Sequence, residues 1–142
     1  MLALTLPETE VKTFMGKLLR EETFDTFDVK SVAIDSFARF DIAATEERVS
    51  WATVKPHAFS IIKSGQKPSL VKIVLSMNQA EAEQLFTDAK ALFINITFEN
   101  DGVMLTTGAA QKTFSMDKTL ERAWDEHALG VLIKNNIRFI EA

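Results

Sequence analysis

Residues 2–18 read LALTLPETEVKTFMGKL, and residues 73–89 read IVLSMNQAEAEQLFTDA. A shift of 71 residues lays Leu2, Leu4 and Leu6 on Ile73, Leu75 and Met77, and Val11, Phe14, Met15 and Leu18 on Ala82, Leu85, Phe86 and Ala89, seven apolar matches without a gap. The first three positions alternate, which is the period of a strand with one buried face. The last four follow the i, i+3, i+4, i+7 spacing of a helix stripe. A phrase repeated in this way predicts two units that bury equivalent faces and share a core.

Around the first copy, Pro7 suits the first turn of a helix, and Glu8 and Glu10 lie where the positive end of the helix dipole favours acids. The stripe continues to Leu19, and the helix should fade over 20–22. Residues 27–44 are rich in β-branched and aromatic side chains and predict a hairpin, with strands 27–34 and 37–44 turning at Asp35-Ser36. Thr45-Glu46-Glu47-Arg48 reads as a polar turn, 49–54 as a third strand stopped by Pro56, and 57–62 as either strand or short helix. The polar loop 64–69 separates the copies.

The second copy predicts a strand over 70–77 and a helix over 79–90, with Asn78 as its N-cap and Glu81 completing a capping-box pairing. Strands 92–98 and 103–107 flank the tight turn Asn100-Asp101-Gly102, where Asp-Gly can supply positive φ. Gly108 marks a bend and 112–116 a further strand. Asp117 then caps a helix with Leu120, Ala123, Trp124, Ala128, Val131 and Leu132 on one side; Asn135-Asn136 ends it and 137–140 return as a strand. The fold class expected is α+β, duplicated β-α-β-β(-β) units with antiparallel sheets. One domain over 1–142 divides into repeat 1 (about 1–62), repeat 2 (about 70–116) and a C-terminal helix-strand extension (117–142).

A hydrophobic fraction of 46% with 25% charged residues is that of a chain able to build a core unaided. With no cysteine, disulfides, thiolate metal sites and a cysteine nucleophile are excluded. Neither a signal h-region nor a run long enough to span a bilayer is found, which predicts a cytoplasmic protein without a membrane partner. The formal charge of −4 argues against nonspecific nucleic-acid binding by the surface as a whole.

The element order of the two copies, across about residues 1–116, resembles one domain of a DNA sliding clamp, itself built from two such units. That resemblance implies helices turned toward duplex phosphates and assigns the DNA contacts to basic helix faces. Lys12, Lys17 and Arg20 meet this on the first helix; Glu81, Glu83 and Asp88 on the second disfavour it. Separately, Lys12-Thr13-Phe14-Met15-Gly16-Lys17-Leu18-Leu19, Thr106-Thr107-Gly108 and Asp117-Lys118-Thr119-Leu120-Glu121-Arg122-Ala123-Trp124-Asp125 are similar to the wording of a small bacterial family of unknown function, a resemblance that covers the whole chain and implies no activity.

His57 and His127 are the two imidazoles, the natural groups for proton transfer near neutral pH. On the helix expected for it, His127 does not face Asp125 or Glu126, which are neighbours at the wrong spacing, so both histidines read as structural or surface residues. Asp25, Asp28, Asp35 and Asp41 cluster in sequence without the regular oxygen-ligand spacing of a cation loop, so neither a metal nor a cofactor is expected. The loop carrying Lys63 and Lys67 is basic but lacks the glycine pattern of a phosphate loop. Trp124 falls on an apolar stripe and should be core, whereas Trp51, in the expected third strand, is the candidate exposed aromatic. The leading expectation is a non-catalytic binding or scaffolding domain, partnered by a protein or by its own copies through sheet edges, with duplex DNA at Lys12, Lys17 and Arg20 as the specific version. The alternative is a small-ligand-binding protein or enzyme with a loop-built site near His57, Lys63 and Lys67.

Overall fold

Alternating burial along each long strand leaves one face of a sheet to be covered, and helices supply that cover. The computed structural model describes residues 1–44, 48–64, 66–113 and 116–141. Among the described residues, seven strands form one antiparallel sheet: β1 (Ala3–Thr5), β2 (Asp28–Asp35), β3 (Arg39–Ala43), β4 (Leu70–Ser76), β5 (Ala89–Glu99), β6 (Gly102–Gln111) and β7 (Ile140–Glu141), in the order β3-β2-β4-β5-β6-β1-β7. Among the same described residues the helices are α1 (Val11–Leu19, preceded by a 3-10 turn at Glu8–Glu10), α2 (Trp51–Ile62), α3 (Gln79–Leu85) and α4 (Thr119–Lys134).

The register explains the core. Val32, Ile73, Ile96 and Leu105 lie in one cross-strand row, and Ile34, Val71, Phe98 and Val103 in the next, all buried. Against this face pack Phe14 and Leu18 of α1, Trp51, Val54 and Ala58 of α2, Ala82 of α3, and Leu120, Trp124, Ala128 and Leu132 of α4. The opposite face carries Ser31, Ala33, Lys72, Val74, Asn95, Thr97, Met104 and Thr106, half-buried or exposed. Burial of one face and exposure of the other is the pattern expected of an antiparallel sheet.

Both halves run β-α-β-β-α in sequence, but their first strands have different neighbours: β1 lies between β6 and β7, β4 between β2 and β5. The stripes differ as well. Leu85, matched to buried Phe14, is 53% exposed, and Ala89, matched to Leu18, opens β5. The helix expected over 79–90 stops at Leu85 because the β5–β6 ladder extends back to Ala89 opposite Gln111, and Phe86 is already extended (φ −138°, ψ 105°).

The third strand expected over 49–54 is helix α2. Only the Asp28–Ser50 bridge keeps a trace of it. Ser50 is an N-cap whose side chain accepts from the Thr53 N–H, and Trp51, Val54 and Ala58 then fall on one buried stripe. Pro56 sits inside this helix on its exposed side, where the Ala52 carbonyl, deprived of an i+4 donor, is open to water. Trp51 is accordingly core: it is fully buried, and its indole N–H donates to the Leu18 carbonyl at 2.8 Å. Trp124 is core as expected, donating to the Phe93 carbonyl at 3.0 Å.

Smaller differences have local causes. The positive φ values of the second hairpin belong to Asn100 (53°) and Asp101 (62°), the two-residue loop, while Gly102 is the first residue of β6. β6 runs through Gly108 without a bend, paired with Phe93 of β5 in the ladder. Lys112, Thr113 and Met116 are not strand; the rest of the segment expected over 112–116, and Thr45, Glu46 and Glu47 of the polar turn, lie outside the described residues, as does Gly65 of the loop.

Candidate functional site

One wall of the candidate cleft is a helix stripe. His127, Gly130, Val131 and Lys134 recur on α4 at i, i+3, i+4 and i+7, beside the buried Trp124, Ala128 and Leu132. Facing them are the segment after α1 (Glu21, Glu22, Thr23, Thr26, Phe27) and the β4–α3 junction (Met77, Asn78, Glu81), which together enclose a cleft of about 730 Å³.

Each wall is held by identifiable bonds. The segment after α1 is pinned by buried Phe24, whose ring packs 6.0 Å from both Phe14 and Phe27, and by Lys55, which donates to the Glu21 carbonyl (2.9 Å) and the Asp25 carboxylate (2.6 Å). At the junction, Asn78 Oδ1 accepts from the N–H groups of Ala80 and Glu81, so the expected N-cap is formed. On α4, the His127 ring stacks on Trp124 (5.6 Å between centroids, 18°) and meets Phe86 edge-on (5.9 Å, 90°), which fixes the imidazole plane. Gly130 leaves open space: a Cβ there would meet nothing within 4 Å.

The result is an apolar floor of Phe27, Met77 and Val131 under a polar rim. Exposed Glu21, Glu22 and Glu81 outnumber Lys134, so the carboxylates dominate the rim. Among the described residues no group of three or more potential ligands is placed to hold a metal ion, and no helix is long and apolar enough to cross a membrane.

The residues singled out from sequence lie elsewhere. Lys12 and Arg20 are exposed on or beside α1, the Arg20 guanidinium folding back over Gly16, where an added Cβ would lie 2.9 Å from Nη2. Lys17 is half-buried and donates through Nζ to the Asn135 carbonyl at the C-terminus of α4. His57 is exposed on α2; Lys63 sits over the Phe59 ring at 5.1 Å; Lys67 pairs with Asp101. The structure does not bring these three together into a pocket with a carboxylate. The spacing of His127 to Asp125 and Glu126 gives no sign of its companions, Trp124 at i−3 and Phe86 at the C-terminus of α3.

A family profile matches residues 17–140, nearly the whole chain. The chain belongs to the family of unknown function DUF5721. The DUF5721 match takes in Thr106-Thr107-Gly108 and the segment from Asp117 to Asp125, which are in contact: buried Thr107 donates to Asp125 and accepts from the Leu2 N–H. No curated protein and no solved structure matches the DUF5721 chain.

Proposed function

We propose that this chain is a binding domain rather than a catalyst, and that it takes a small organic cation into the cleft between α4, α3 and the segment after α1. The observation that carries the reading is the cleft itself, with an apolar floor for a hydrocarbon body, an acidic rim for a cationic group, and an imidazole held in one plane by two aromatic rings. Titration with spermidine or n-butylammonium, followed by NMR of the imidazole protons, tests it. Saturable movement of the His127 signals, without movement of those of His57, is expected. Gly130→Phe, which places a ring in the open space of the wall, should abolish it. Unsaturable shifts, or binding indifferent to that substitution, would overturn the reading.

The clamp-like version, linked to DNA metabolism, draws its support from Lys12 and Arg20, both exposed; Lys17 would have to leave the Asn135 carbonyl to take part. It predicts retention on duplex DNA that falls steeply with salt and drops when Lys12 and Arg20 are replaced by Gln. No retention at low salt ends that version.

A further inference from the structure

β3 closes one end of the sheet, with no further strand beside it among the described residues. Which of its backbone groups face outward follows from the β2–β3 register. Lys30 and Ala44 are bonded through the Ala44 N–H, and Ser36 and Ala38 through the Ser36 N–H, so the even-numbered residues of β3 exchange hydrogen bonds with β2. In an antiparallel ladder the bonded pairs alternate, so the N–H and C=O groups of Arg39, Asp41 and Ala43 are directed away from β2 to the open edge. The side chains of the same three residues lie on the helix-free face, where Arg39 bonds Asp35 (2.8 Å) and Asp41 (3.1 Å); Phe40 and Ile42 lie on the helix side, half-buried, with Phe37 packed edge-on at 5.4 Å from Phe40 and 62% exposed.

We propose that this edge pairs with β3 of a second copy of the chain, antiparallel and centred on Phe40. An edge strand is ordinarily guarded by charges that would repel a like strand. Here the charges are of opposite sign two residues apart, and they select a register instead of forbidding all of them. Centring on Phe40 sets Arg39 opposite the partner's Asp41 and Asp41 opposite the partner's Arg39. These are the positions whose backbone groups point outward, so each such pair exchanges both main-chain hydrogen bonds while the rings of Phe40 and the partner's Phe40 meet on the helix side. Centring on Arg39 or on Asp41 sets like charges directly opposite. Charge, hydrogen-bond parity and apolar matching therefore agree on one two-fold arrangement, a continuous sheet with both helix layers on the same side.

Sedimentation equilibrium across a concentration series, with the full chain, tests this. The unaltered protein is expected to dimerise, and either Arg39→Asp or Asp41→Arg alone is expected to weaken dimerisation at least tenfold, with circular dichroism showing that the fold is kept. The double variant, Arg39→Asp with Asp41→Arg, should dimerise again, and so should an equimolar mixture of the two single variants, because each acid then meets a base across the pair. A monomer up to millimolar concentration, a dimer indifferent to the single reversals, or a failure of the double variant to recover would each overturn the proposal.

Discussion

Trp51 shows how much one indole can do when a helix end lies beside it. The last carbonyls of α1 have no intrahelical donor, and the Trp51 N–H serves that of Leu18 from within the core. Trp51→Phe keeps most of the volume and removes the donor, leaving a buried carbonyl unmet; urea denaturation should show a loss of about 1–3 kcal/mol. Gly130 is the opposite case. It is exposed in the interior of α4, with empty space where its Cβ would be, so Gly130→Ala should stabilise by roughly 0.5–1 kcal/mol through helix propensity, read as a raised melting temperature. A helix that keeps glycine there forgoes this gain and leaves the cleft wide at that point.

At the level of elements, ends matter more than middles. α3 has seven residues, too few to persist without its cap and its tertiary contacts, so Asn78→Ala should cost about 1 kcal/mol. It should also loosen the cleft wall that Glu81 occupies. At the start of α4, bonds from the Thr119 hydroxyl and N–H hold the Asp117 carboxyl below its ordinary pKa. Glu83 is likewise lowered, first by the Gln79 amide and then by Lys112. Groups depressed in the folded state contribute stability above their unfolded values and lose it as pH falls through the folded ones. Stability should therefore decline below about pH 4. Asp117→Asn, which keeps the turn acceptor without the charge, should flatten that decline when melting temperature is followed from pH 6 to pH 2.

For the molecule as a whole, Lys55 ties α2 to the segment that follows α1. Only 12% of its side chain is exposed, and it reaches from α2 to the Glu21 carbonyl and to Asp25, so the shape of the cleft depends on a helix that does not line it. Lys55→Met leaves Asp25 without its cation and should destabilise by about 2–3 kcal/mol, since a largely buried pair is broken from one side. If the cleft binds as proposed, the same variant should weaken the ligand several-fold while Lys63→Met, on the far rim of α2, leaves it unchanged.

The alternating burial of Leu4 and Leu6 and of Ile73, Leu75 and Met77, the stripes of α1 and α4, the Asn78 cap and the hairpin at Asn100-Asp101 were all legible in the chain. Each rests on the local geometry of the backbone and on the solvent preference of side chains a few residues apart. Other outcomes were settled by contacts across the fold. Residues 51–62 became helix once Trp51 found the Leu18 carbonyl and Val54 a core to fill; α3 stopped where the β5–β6 ladder claimed Ala89; β1 and β4, alike in sequence, took unlike neighbours. The cleft belongs to the same class. Glu21, Asn78 and His127 are scattered along the chain and carry no common motif, and they become one site because the sheet brings three helix and loop ends to the same place.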